Sequence, residues 1–147
     1  MHFLFYSRIN AGNIGRSLGA PEYSYYFLLK EFRVAFERLG SVTVVEDPAA
    51  EADVAYDRCR ARGEDCVLIA FTAPQNLPDV RRCPVVPLIA WEFERIPDEP
   101  WGGNPRNDWR AALAGCARAI TLSEHAVAAV KRAMGAQFPV LSVPVPL

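Results

Sequence analysis

Four short stretches of the chain bring together residue types able to bind or transform a small molecule. The first, residues 10–19, holds Gly12, Gly15 and Gly19 around Arg16. Backbone N–H groups in such a loop can cradle phosphate oxygens, with the dipole of a following helix behind them. An arginine there can neutralise a phosphate or hold an acidic acceptor. The glycines match neither G-x-G-x-x-G nor a P-loop, which needs a Lys-Ser/Thr pair, so a flexible turn accounts for the loop equally well. The second stretch is Thr72-Ala73-Pro74-Gln75-Asn76. The third, Trp91-Glu92-Phe93-Glu94-Arg95, sets an aromatic face beside two carboxylates. Sugars are held by that combination of apolar stacking and polar hydrogen bonds, and a carboxylate so placed can also act as a base. The competing reading packs Trp91 under a loop and leaves Glu92 and Glu94 solvated. The fourth stretch is Ser123-Glu124-His125. Helix capping explains its first two residues, Ser123 as N-cap and Glu124 as a first-turn acid that complements the helix dipole. His125 follows on the same turn, and adjacent helical residues point in different directions, so the three form no catalytic triad. His2 opens the first strand and reads as structural.

These stretches take their meaning from the elements that must position them. Phe3-Leu4-Phe5-Tyr6 is a short apolar run ending near the glycine loop, the pattern of a buried strand. Pro21 suits a first helical position. Tyr25, Leu28, Leu29, Phe32, Phe36 and Leu39 then recur at helical spacing up to Gly40, a residue suited to the position just past a helix end. Residues 42–45 read as a second buried strand and residues 49–62 as a helix. Residues 66–71 and 85–90 are continuous apolar runs, the mark of strands covered on both faces in a parallel sheet. Next come an exposed loop over 97–108, a short helix over 109–116 and a strand over 119–122. A helix over 124–134, stopped by Gly135, and a last strand over 140–143 complete the series. Strand and helix alternate throughout. That order predicts an α/β fold, a three-layer Rossmann-like domain with a mostly parallel sheet of about six strands joined by right-handed crossovers. Ligands of such sheets bind beyond the carboxyl ends of the strands, where all four stretches fall.

The chain has 147 residues, of which 51% are hydrophobic and 22% charged, a balance that fits one globular domain with one core. A chain of this size buries roughly 70% of the surface its unfolded form exposes, so it needs neither disulfide nor metal to stay folded. Cys59, Cys66, Cys83 and Cys116 lie 7, 17 and 33 positions apart, without the short gap typical of a tetrahedral zinc site. Cys66 and Cys116 read as small buried hydrophobes in a reducing cytoplasm, and neither a metal nor a cofactor is expected. The 16 basic and 17 acidic side chains leave a net charge of −1, which offers no field to hold nucleic acid. No apolar run approaches the ~20 residues of a spanning helix, and the N-terminal run is too short for a secretory signal, so a cytoplasmic location is expected. Pro144 and Pro146 follow the last strand as a linker at a domain boundary would.

In order and spacing, these features resemble the N-terminal domain of glycosyltransferases with the two-Rossmann GT-B architecture, especially the large family 4 of retaining enzymes. Gly19-Ala20-Pro21-Glu22, the aromatic- and leucine-rich helix, Leu39-Gly40 and the strand Val42-Thr43-Val44-Val45 are similar to the family's G-G-x-E turn and the elements after it. Residues 84–92, the proline- and tryptophan-bearing loop and residues 117–125 are similar to a second stretch of that family. There, one strand ends at the acceptor cleft and a later one ends in Ser before a helix. Val143-Pro144-Val145-Pro146 resembles the segment leading into the second domain. The likeness spans nearly the whole chain, with two departures. Gly19-Ala20 stands in place of the double glycine, and Trp91-Glu92 stands where many relatives carry a His that contacts the transferred sugar.

The resemblance implies a hexosyl-type glycosyltransferase that uses a nucleotide-sugar donor. Residues 1–147 would be its acceptor-side half, inactive in isolation, and the C-terminal donor-binding domain is absent from this chain. A saccharide or lipid-linked acceptor is implied, the latter compatible with peripheral membrane contact. Glu92 is the catalytic candidate, and Gly12, Gly15, Arg16, Glu22, Trp91, Glu94 and His125 are the substrate-binding candidates. Competing classes are a stand-alone Rossmann-like binding module, receiver-like or otherwise, and a small enzyme using a dinucleotide or methyl donor. A receiver should show paired acids after its first strand, where this chain has Ser7-Arg8, and a dinucleotide enzyme should show the tighter glycine fingerprint.

Overall fold

The computed structural model describes residues 1–19 and 22–147. Its strands are β1 (His2–Ser7), β2 (Ser41–Val44), β3 (Cys66–Phe71), β4 (Val85–Ile89), β5 (Ala119–Thr121) and β6 (Val140–Ser142). They form one six-stranded sheet in the order β2-β1-β3-β4-β5-β6, with every pairing parallel. Four helices join them: α1 (Tyr23–Phe36), α2 (Pro48–Ala61), α3 (Trp109–Ala114) and α4 (Glu124–Met134). The fold is a three-layer, Rossmann-like α/β domain.

Alternation along each strand divides the core in two. Phe3, Phe5, Ile69, Phe71, Val86 and Leu88 face Tyr25, Leu29 and Phe32 of α1. Leu4 and Leu68 turn the other way, onto Ala52 and Cys59 of α2. Ile89 and Ala119 meet Trp109 and Leu113 of α3 and Ala129 and Val130 of α4. Crossover handedness explains why α1 packs on its own side. The β1-to-β2 connection crosses the sheet in one direction and every later one in the other, so right-handed crossovers place α1 opposite α2, α3 and α4.

Local chemistry sets the element ends. Ser123 caps α4 by accepting the Ala126 N–H at 3.2 Å, and Gly135 ends it with φ 102°. Asp47 and Asp108 cap α2 and α3 in the same way. Pro87 lies inside β4, but pairing with β5 starts only at Leu88, so its missing N–H precedes that ladder.

Several sequence expectations are revised. Residues 42–45 do not form a buried strand: β2 is the sheet edge, with Ser41, Thr43 and Val44 exposed and only Val45, just beyond it, buried. β-branched residues suit an edge as well as a centre, so the run did not distinguish them. Gly40 does not cap α1, which ends at Phe36; a Cβ on Gly40 would lie 2.2 Å from the Met1 carbonyl oxygen, and this close approach is what demands glycine. Cys116 is only half-buried, whereas Cys59, Cys66 and Cys83 are buried together beneath α2. The expected helix start at Pro21 lies outside the described residues.

Asp53 of α2 anchors the approach to β4 by accepting the N–H groups of Cys83 (2.9 Å), Arg82 (2.8 Å) and Arg81 (3.2 Å). The Cys83 N–H foremost, with the other two N–H groups and the Arg82 charge, holds its carboxyl below the usual value against the opposing effect of desolvation. A carboxyl lowered in the folded state stabilises the fold above its unfolded pKa, about 3.9, and loses that contribution as pH falls through the folded value. Asp53→Asn should therefore lower the urea midpoint at pH 7, and its deficit relative to wild type should shrink below about pH 4. Equal deficits at both pH values would contradict this.

Candidate functional site

The strand order reverses at β1, with β2 on one side and β3 on the other, so the crevice at the carboxyl ends of β1 and β3 is the expected ligand position. Glu22 stands there, immediately before α1. Its backbone is left-handed, φ 71°, the only positive φ among the described non-glycine residues. For a side-chain-bearing residue that conformation costs about 1–2 kcal/mol. The carboxylate contacts offset it. Oε1 accepts hydrogen bonds from the Ala73 N–H at 2.6 Å, the Thr72 hydroxyl at 2.8 Å and the Asn76 amide at 3.1 Å. Oε2 is closed off from solvent, has no hydrogen-bond partner among the described residues, and lies 4.0 Å from the Arg8 guanidinium.

One helical turn on, the Tyr25 hydroxyl accepts the Ala90 N–H at 3.0 Å, just past β4. Burial pushes this hydroxyl up to about 12, with the Glu22 charge adding to it, so it stays protonated at neutral pH. The start of α1 is thereby tied to the carboxyl ends of both β3 and β4.

The glycine loop is built by its own asparagines. Asn10 Oδ1 accepts the N–H groups of Gly12 (2.8 Å) and Asn13 (3.2 Å), and Asn13 Oδ1 accepts the Asn10 N–H at 2.8 Å. The N–H groups of Ile14, Arg16 and Ser17 bond to carbonyls of the same loop. Most of its amides are thus satisfied within the loop, not turned outward to a phosphate. A Cβ on Gly12 would press on Asn10 Oδ1 at 3.2 Å, a tight contact that a small shift of the Asn10 side chain would relieve, whereas Gly15 faces open space. Arg16 is exposed.

The remaining candidates line the same edge but are spread along it. Strands sit about 4.8 Å apart, so residues leaving β4 start roughly 10 Å from the end of β1, and those leaving β5 roughly 14 Å. Trp91 is half-buried; its ring packs on Trp109 at 4.6 Å and Phe93 at 5.0 Å, and its indole N–H donates to the Arg95 carbonyl at 3.0 Å. Glu92 and Glu94 are exposed beside it, and His125 is exposed on the first turn of α4. Of the residues singled out in the sequence, only Glu22 enters the β1–β3 crevice as a buried charged group. Its partners Thr72 and Asn76 belong to the second candidate stretch but were not among the substrate-binding candidates, and Arg8 was given no site role.

Burial, reinforced by the neighbouring thiols, raises Cys66, and burial raises Cys83 and Cys116 to about 11, so these thiols are protonated and unreactive. Among the described residues no group of His, Cys, Asp and Glu is placed to hold a metal ion, and no helix is long and apolar enough to cross a membrane.

Fold and crevice together define a doubly wound α/β domain whose switch point is anchored by a buried carboxylate. Compared with protein-family models, curated proteins and solved structures, the chain matches none.

Glu22→Ala should destabilise the fold by roughly 2–4 kcal/mol in urea unfolding, because it strands three donors, while Glu22→Gln, which keeps a carbonyl acceptor, should cost less. A loss below about 1 kcal/mol for Glu22→Ala would show that water replaces the carboxylate freely.

Proposed function

We propose that the chain is the acceptor-side domain of a nucleotide-sugar-dependent glycosyltransferase, working against a donor-binding partner domain across the carboxyl edge of its sheet. Folds of this kind host many activities, so the reading rests on the site. The observation that carries it is the half-satisfied Glu22 carboxylate, the last residue of the stretch that resembles the family's G-G-x-E turn. An ionised carboxylate only accepts hydrogen bonds. With Oε1 saturated, Oε2 is the oxygen left to accept a hydrogen bond, and since it is shut off from solvent a saccharide hydroxyl entering the crevice reaches it only as the side chains covering it move aside.

Further support comes from the rim. Leu18, Phe93 and Trp101 are 80%, 61% and 58% exposed in the loops that follow β1 and β4, an apolar fringe that a partner domain would cover. The Trp91 ring is held rigid by its indole bond and by Trp109, which suits a stacking wall, and Glu92 beside it accepts a sugar or acceptor hydroxyl. Arg16 offers charge for a diphosphate or an acidic acceptor. Positioning donor against acceptor takes both halves, so this domain alone transfers nothing. A binding module without transfer is the second reading, favoured by the glycine loop whose amides are mostly used internally.

Amide NMR titration of the 147-residue chain with a panel of methyl glycosides tests the reading. Expected are millimolar-range binding with shifts at the ends of β1, β3 and β4, a roughly 2–10-fold weakening by Glu92→Gln, and no change with His125→Ala. Shifts centred on His125, or a Glu92→Gln variant indistinguishable from wild type, would overturn the assignment of Glu92. Release of nucleoside diphosphate from any nucleotide sugar by this chain alone would contradict its role as an incomplete half.

A further inference from the structure

On the opposite side of the β1 end, toward β2, α1 closes a second cavity of about 310 Å³. Tyr26, Leu29, Lys30 and Arg33 recur at helical spacing and form its helical wall. Ile9, Leu29 and Val45, all buried, give it an apolar floor. Arg33 is already paired with Glu37 at 2.8 Å. Lys30 is exposed, its ammonium 5.6 Å from the centre of the Tyr26 ring, a weak hold that leaves it free to take an anion. Glu46 lines the same cavity, so with Arg33 taken up by Glu37 the charges balance, and Lys30 is the lining cation without a close carboxylate partner among the described residues.

Ser7 supplies an independent sign. It is only 4% exposed, it lines this cavity, and its hydroxyl has no hydrogen-bond partner among the described residues. A buried unpaired hydroxyl is costly, and such groups are rare unless something answers them. The self-bonded Asn10 turn beside it holds the cavity wall without the aid of a ligand.

We propose that this cavity binds a small amphipathic anion, its apolar ring or chain on the Leu29–Val45 floor beside Tyr26 and its phosphate or carboxylate head met by Lys30 and the Ser7 hydroxyl. Binding itself follows from the cavity. Only the further step, that this anion is the acceptor or part of it, rests on the glycosyltransferase reading.

The test uses the whole chain and four probes in calorimetric and NMR titrations: phenyl phosphate, phenylacetate, inorganic phosphate and phenol. At least one of the first two should bind saturably, with amide shifts at Ser7, Tyr26 and Lys30, and the better of them identifies the head group. Inorganic phosphate and phenol should each bind at least ~10-fold more weakly than it, because each lacks one half of the match. Lys30→Met and Ser7→Ala should each weaken that binding by ~3–10-fold. Ser7→Ala should do so without lowering Tm, since it removes an unpaired buried group, and a purely structural serine would not behave this way. Absence of saturable binding, equal affinity for bare phosphate, or unchanged affinity in both variants would overturn the proposal. Methyl glycoside shifts around Glu22 and Glu92 would be untouched by that failure, so the two readings fail separately.

Discussion

Glu22 is a charge removed from water, and that choice constrains everything around it. Burying an ionised carboxylate is costly unless donors meet it. Here the donors come from the turn after β3, 50 or more residues away in sequence, and the Arg8 guanidinium after β1 adds its charge at 4.0 Å without a hydrogen bond. The bond therefore joins the two strands between which the sheet reverses direction, at the point where a ligand would enter. It also explains the left-handed backbone of Glu22, a conformation that a solvated glutamate would have no reason to adopt.

From that anchor α1 serves two clefts by its periodicity alone. Tyr25, Leu29 and Phe32 turn to the sheet and fix the helix over β1, β3 and β4. Tyr26, Lys30 and Arg33, offset around the helix, look toward the end of β2. One rigid helix thus sets the distance between the carboxylate crevice and the apolar, cation-rimmed cavity. Were the start of α1 to loosen, both sites would shift together.

Much of this was legible in the sequence because the physics that sets it is local. Continuous apolar runs marked β3 and β4, Ser123 and Gly135 marked the ends of α4, and alternation of strand and helix marked a parallel sheet. What escaped depends on partners distant in the chain. A β-branched run looks the same at an edge as at a centre, so β2 was misplaced in depth. Cys59, Cys66 and Cys83 have no telling spacing, yet the crossover through α2 brings them into one cluster. Glu22 was legible as a site residue only through its resemblance. That its carboxylate would meet Thr72, Ala73 and Asn76 had no local trace, because the contact exists only once the strands are in register.

The central claim is that a buried Glu22 carboxylate locks the turn after β3 to the start of α1, and amide hydrogen exchange at Ala73 tests it most directly. Ala73 lies beyond the last strand residue, and its N–H bonds to nothing but the Glu22 carboxylate among the described residues. The account predicts protection at Ala73 close to that of the β3 core amides, lost in Glu22→Ala. Exchange of Ala73 in the wild-type chain at the rate of a free loop amide would contradict it.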